Sequence, residues 1–275
     1  MISLLREFDI GARIGVFLVV AFLAAVFLSP FFMPYTEVEI AGSVWEPPSS
    51  AHWLGTDNVG RDLLTRILAG GRMTVIISLL ATCGAFLIGC PLGISAAVAG
   101  GWFDLITTRA VDALMAFPGL ILALILLSAM GTSIPSLLLV MSILSSTIVF
   151  RLTRAVASDV AAMEFIEVAR LRGESMSWFL FMEILPNVAP TLLTEFGLRF
   201  VYAAILISSL SFLGLGIQPP YADLGGMVKE NSLAITFGRM TPVLPALALA
   251  LLAIGVNLIV DGLLKRNANL DLHSD

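Results

Sequence analysis

Six long apolar runs divide the chain, at residues 14–33, 73–99, 105–130, 135–150, 189–217 and 242–264. A helix needs about 20 predominantly apolar residues to cross the hydrocarbon core of a bilayer. Within that core each backbone N–H and C=O must be satisfied inside the protein, which a helix does unaided. The fourth run is short but extends into Arg151 to Val160. Hydrophobic residues make up 58% of the 275, and charged residues only 13%, about half the usual share of a soluble domain. These features exclude a soluble globular enzyme, a disordered chain and a coiled coil. The fold class expected is an all-α integral membrane protein with six transmembrane helices.

Charge sets the orientation. Lys and Arg cluster on the cytoplasmic side of membrane proteins. With the N-terminus inside, nine basic residues fall inside (Arg6, Arg13, Arg109, Arg151, Arg154, Arg170, Arg172, Lys265, Arg266) and five outside (Arg61, Arg66, Arg72, Lys229, Arg239). Both termini are therefore expected in the cytoplasm. The first run is too long for a typical signal peptide and reads as an uncleaved span. Residues 1–72 then form an N-terminal span and outer loop. Residues 73–275 form a five-span core with a cytoplasmic loop at about 160–186. The net charge is −5 with no basic stripe, so nucleic acid is not an expected partner.

Several chemistries lack their parts. The two histidines, His52 and His273, lie outside the spans. No HExxH, GxSxG, CxxC or GxxxxGK[ST] pattern occurs, so neither catalytic residues, a metal site nor a phosphate loop is expected. Cys83 and Cys90 share a helix face too far apart to bridge and read as small apolar side chains. If the chain's work needs ATP, another subunit must bind it.

The loop from Glu164 to Pro186 reads as helix, glycine turn, second helix, proline. Residues 164–172 are strong helix formers. Gly173 suits a left-handed cap, Ser175 an N-cap, and Pro186 the first turn of the next span. An apolar strip of Phe165, Val168, Ala169 and Leu171 is suited to a groove on another protein. The arrangement resembles the EAA loop of ABC-importer permeases: Glu167 and Ala169, Gly173 further on, then Leu185 and Pro186. Two positions depart from the pattern. Val168 replaces its first alanine, and Glu183 stands where the peptide branch often has histidine.

Further segments resemble the second permease of the dipeptide, oligopeptide and nickel branch. The stretch His52-Trp53-Leu54-Gly55-Thr56-Asp57-Asn58-Val59-Gly60-Arg61-Asp62 is similar to its HxLGTDxxGRD. Trp102-Phe103-Asp104, Arg109, Asp112 and Ala116-Phe117-Pro118 match further positions. Ser211-Phe212-Leu213-Gly214-Leu215-Gly216-Ile217-Gln218-Pro219-Pro220 is similar to its SFLGLGxQPP, and Asn257 and Asp261-Gly262 fit its final span. From the residues alone, Arg109 and Asp112 are spaced to pair on a helix. Gly214 and Gly216 are expected to let helices approach closely. Asp57, Arg61 and Asp62 read either as a solvated surface network or as an ordered loop.

Glu195 and Arg199 sit four apart within the fifth run. Ionisable residues at depth are costly and usually face an interior or a water-filled path. They read either as a self-satisfying ion pair or as pathway residues.

The resemblance implies a type I ABC-importer-like permease in a bacterial-type inner membrane. It implies a second homologous permease, two P-loop ATPase subunits that hold ATP and Mg, and an extracytoplasmic solute-binding protein. No cofactor is expected on this chain. Glu167, Val168, Ala169, Arg170, Gly173, Leu185 and Pro186 would couple to the ATPase. Gly55, Thr56, Asp57, Gly60, Arg61 and Asp62 would lie on the binding-protein side. Ser211, Phe212, Gly214 and Gly216 would line the pathway with Glu195 and Arg199. The rival expectation is an ion-gradient-driven carrier.

Overall fold

The computed structural model describes residues 9–271, the side chains of Arg170 and of residues 267–271 excepted. Its helices are α1 (Ile10–Phe32), α2 (Leu63–Ala99), α3 (Gly101–Met115), α4 (Gly119–Met130), α5 (Ile134–Ala161), α6 (Glu164–Leu171), α7 (Met176–Trp178), α8 (Leu185–Leu213), α9 (Leu224–Glu230) and α10 (Val243–Asp271). A π turn, Phe179–Ile184, joins α7 to α8, and a 3-10 helix, Ser232–Phe237, follows α9. No strand occurs among the described residues, only two isolated bridges, Ile40 with Arg61 and Thr56 with Asp62.

Among the described residues five segments are long and apolar enough to cross a membrane: Ile10–Phe32, Leu63–Ala99, Ile134–Ala161, Met176–Leu213 and Val243–Arg266. The expected third span, 105–130, is instead a broken one: α3 and α4 meet at 88°. Counted as one, the pair makes six spans. Pro118 explains the break. It has no N–H for the turn behind it and disfavours helical geometry at Phe117. Its carbonyl then accepts from Leu122 N–H, 3.0 Å, to open α4.

Proline shapes the fifth span too. Met176–Leu213 is one long helical run. Before Pro186 the winding slackens, and Leu185 N–H donates to Leu180 O, five residues back. Such π turns mark places where the regular i−4 ladder is interrupted.

The chain forms two compact units. One comprises Met1–Leu79, Leu127–Leu137 and Phe200–Asp275; the other comprises Leu80–Leu126 and Leu138–Arg199. In the first, α1 packs along α10. A Cβ at Gly15 would lie 2.6 Å from Gly255 O, so only glycine permits this crossing. Leu63, Ile67, Leu224 and Met227 form a second core beside it. In the other unit, Cys90, Ile94, Val149 and Ala157 pack with Ile166, Ala169, Phe179, Ile184 and Leu192. Cys90 is buried there as a free thiol, as a small apolar side chain would be.

Candidate functional site

The loop resembling the EAA motif is anchored through one helix face. On α6, Ile166 and Ala169 are buried in the core of their unit. Burying an isoleucine side chain contributes about 1.5–3 kcal/mol. Phe165, Val168 and Leu171 face away, with Leu171 84% exposed. The expected apolar strip is therefore split: Ala169 holds the helix down, and the other three remain uncovered. Glu167 is exposed beside them. Gly173 has φ +76°, and Glu174 N–H reaches back to Ala169 O, 3.4 Å, so the helix ends in a left-handed cap. Ser175 Oγ accepts from Trp178 N–H, 3.3 Å, and opens the following turn. Leu185 is partly buried and Pro186 exposed in the first turn of α8. The Arg170 side chain lies outside the described residues. At the departing position, Glu183 is partly buried and its carbonyl accepts from Asn187 Nδ2, 2.5 Å.

The loop before α2 is built around buried charge. Asp57 is fully enclosed. Its Oδ1 accepts from Val59 and Arg61 N–H, each 2.9 Å. Its Oδ2 accepts from Arg61 Nε at 2.7 Å and from Arg66 Nη1 at 2.6 Å. Arg66 Nη1 and Arg61 Nη2 also reach Glu230 at the end of α9, at 2.7 and 3.1 Å. Burial pushes the Asp57 carboxyl up, but the two N–H groups and two guanidiniums outweigh it and hold it below the usual range. The solvated-surface alternative is thus corrected: Thr56, Asp57, Asp62 and Arg66 are buried. Asp62 pairs with His52 Nδ1 at 3.0 Å and accepts from Thr65 N–H, 2.9 Å, in the first turn of α2. Asn231 Oδ1 accepts from Trp45 Nε1 and from Asn58 N–H, fastening the loop a second time. Gly55 and Gly60 supply the positive-φ turns. Trp53 and Val59 are left exposed.

The run 211–218 is a helix stop. Gly214, φ +93°, ends α8, and Leu215 N–H donates to Leu210 O, 2.9 Å. Ser211 Oγ accepts from Ile217 N–H, 3.0 Å, and Gln218 Nε2 donates to the carbonyls of Gly214 and Gly216. The packing expectation is corrected for Gly216, where a Cβ would meet Ser211 of the same turn; at Gly214 it would lie 2.7 Å from Lys229 Nζ of α9. A close approach to neighbouring backbone falls at Gly225, where a Cβ would lie 2.0 Å from Ser208 O. Phe212 is exposed. Asp223 caps α9 by accepting from Gly226 N–H, 2.8 Å. Burial pushes its carboxyl up to about 6, against the pull of the Gly226 N–H and Ser211.

Glu195 and Arg199 pair with each other, Nε to Oε1 2.7 Å, and both side chains are largely buried. Arg109 and Asp112 form no ion pair; the clasp is instead Asp104 with Arg154, bidentate and linking α3 to α5. Sequence reasoning missed Arg66, Glu230, Asn231, Asp223 and Arg154. Only Asp223 carried a local signal, an aspartate placed directly before a helix. The candidate residues therefore stand in separate groups: a capped helix in one unit, a buried ionic loop and a helix stop in the other. No group of three or more metal-ligating side chains occurs among the described residues.

Residues 89–268 match the family described as binding-protein-dependent transport system inner membrane component. The chain belongs to this family, a multi-pass inner-membrane component of ABC importers. The glutathione transport system permease protein GsiD of Pectobacterium atrosepticum is 34% identical over 92% of this chain and 85% of its own. The dipeptide transport system permease protein DppC of Alkalihalophilus pseudofirmus is 31% identical over 92% and 83%. The crystal structure of an amino acid ABC transporter with histidines shares the fold, with a TM-score of 0.55 and 18% identity, over 74% of this chain and 94% of the other. Nothing in these matches supports the ion-gradient carrier.

Proposed function

We propose that this chain forms half of the translocation pathway of an ATP-driven importer for peptides or a similar small polar solute. Its companions are a second homologous permease, two P-loop ATPase subunits and an extracytoplasmic solute-binding protein. ATP and Mg are held, and ATP hydrolysed, by the ATPase subunits. Both termini lie in the cytoplasm, as the distribution of basic residues favours. The solute class is argued from the peptide and glutathione relatives.

One observation carries the reading: α6 is fixed from behind by Ile166 and Ala169 while Phe165, Val168 and Leu171 stay uncovered beside Glu167. Such a helix moves as a piece with its unit when its outer face is gripped. Closure of the ATPase pair on ATP pushes α6 and with it the packed helices. Its contact with the ATPase must differ between states for this to do work. Arg170, Gly173, Leu185 and Pro186 set the position and ending of the loop. Trp53 and Val59, presented by the ordered segment 52–62, offer a surface to the binding protein. Glu195 with Arg199 lines the route of the solute.

The test is recovery from the native host. Tagged chain purified in mild detergent should bring a P-loop ATPase and a second permease. Glu167→Ala with Val168→Asp should lose the ATPase and keep the second permease. Recovery of the chain alone, with uptake that follows an ion gradient and ignores ATP, would overturn the proposal.

A further inference from the structure

Where α1 ends, a pocket of about 340 Å³ opens between it and α2. Its walls include Ser29 and Met33 of α1, Tyr35 and Glu37 of the following loop, and Thr65 and Arg72 of α2. Thr65, Ala69 and Arg72 recur at i, i+4 and i+7, so they form one face of the helix. This pocket lies at the edge of the bilayer. The 23 residues of α1 suffice to cross the hydrocarbon core, and its last residues line the pocket. Phe31 and Phe32, beside it, are 81% and 74% exposed. Helix α2, at 37 residues, is about 55 Å long, so it extends well past the core that it crosses.

The polar content is unusual for such a place. Arg72 is half-buried, yet among the described residues it makes no hydrogen bond or ion pair. Glu37 lines the same pocket and is paired with neither Arg72 nor any other cation among the described residues. One of its oxygens accepts from Ala222 N–H, 3.2 Å, and the other has no partner among the described residues. A guanidinium at this depth is costly without a counter-charge, and Arg favours phosphate through paired N–H donors.

We propose that this pocket seats the phosphoethanolamine headgroup of a membrane lipid, with phosphate at Arg72 and ammonium at Glu37. One cation and one anion, not paired to each other, match a zwitterion better than an anionic headgroup. Phe31 and Phe32 lie where acyl chains would run, which favours an occupant that arrives from the bilayer. The bulkier trimethylated headgroup of phosphatidylcholine gives Glu37 no N–H to accept from, so the ethanolamine lipid is preferred.

Native mass spectrometry on the purified full chain with its co-purifying subunits tests this. Phosphatidylethanolamine, phosphatidylcholine and phosphatidylglycerol would be added in equal amounts. The expected result is selective retention of phosphatidylethanolamine. Arg72→Gln should reduce that retention about tenfold, the scale of one lost charge-assisted contact. Arg72→Lys should keep it, which separates lost charge from misfolding. Glu37→Gln should level ethanolamine and choline lipids. Equal retention of the three lipids by the unaltered chain, or unchanged retention in Arg72→Gln, would overturn the proposal. Displacement of the lipid by a soluble dipeptide would overturn it also, since the zwitterion recognised would then be a solute.

Discussion

Arg66 meets Asp57 at 2.6 Å with neither side chain in contact with solvent. The pair ties the loop to a helix 164 residues further along the chain, because the same Arg66 nitrogen also reaches Glu230. Removing one partner leaves the other charge buried with one counter-charge fewer, Asp57 keeping Arg61 and Arg66 keeping Glu230. The cost therefore approaches but does not reach that of a fully orphaned buried charge, about 3–5 kcal/mol. Arg66→Leu and Asp57→Asn should each lower the melting midpoint of the purified chain sharply. Arg66→Leu combined with Asp57→Asn should cost less than the two singles added together, since the charges that remain, Arg61 and Glu230, are the same in all three variants. Strict additivity would show that the two charges do not act on each other.

Two acids should respond to pH with opposite signs. Asp57 has its folded pKa below the ordinary 3.8, so its contribution is complete above that value and is lost as pH falls further. Asp223 is raised from 3.8 to about 6. Between those values the folded state holds the proton more tightly than the unfolded state does. Stability therefore declines as pH rises from about 4 to 6, by about 3 kcal/mol in all. Melting midpoints measured across pH 4–7 should fall in the unaltered chain. In Asp223→Asn, which can still cap α9, they should stay level. A slope that persists in Asp223→Asn would assign the titration elsewhere.

Glycine at two helix ends should be separable. At Gly173, φ +76° with no atom within 4 Å of an added Cβ, alanine meets only the backbone penalty, about 1–2 kcal/mol. Gly173→Ala should fray α6 and lower ATP-dependent uptake while the chain still folds. At Gly216 the added Cβ would lie 2.5 Å from Ser211 N and closer to its hydroxyl. Gly216→Ala should therefore lower the melting midpoint more than Gly173→Ala does. The reverse order would contradict the geometry.

Glu195 and Arg199 offer a double-mutant cycle. If the pair satisfies itself and lines the route, Glu195→Gln and Arg199→Leu should each disturb folding more than the two together. The double variant should assemble but transport with altered kinetics. Uptake kinetics identical to those of the unaltered chain would remove these residues from the pathway.

Much of the fold was legible because a bilayer makes hydropathy speak directly about spans. The caps at Gly173 and Ser175 were legible for a local reason: their chemistry is complete within a few residues. The break at Pro118 had a visible cause, yet the apolar run on either side masked it, since lipid accepts a bent helix pair as readily as a straight one. What stayed illegible is non-local. Nothing near Glu230 or Asn231 announces the loop at 57–61 that they fasten. Asp112 looked a better partner for Arg109 than Asp104 did for Arg154, because spacing along a helix is readable and spacing between helices is not. The split of the α6 strip depended on which face finds a core, and Ile166 settled that.

The glycine crossing of α1 with α10 bears on how the chain is made. Gly15 emerges from the ribosome 240 residues before Gly255. Until α10 is made, α1 lacks that partner and has its contact with α2, where Phe22 and Val26 meet Gly71. It must persist in lipid on its own apolar surface, and only 17% of its span is buried even in the finished protein. Its insertion is therefore independent of its docking. A bulky residue at Gly15 would pass through membrane insertion unnoticed and fail later, when α10 arrives and finds its place against α1 blocked.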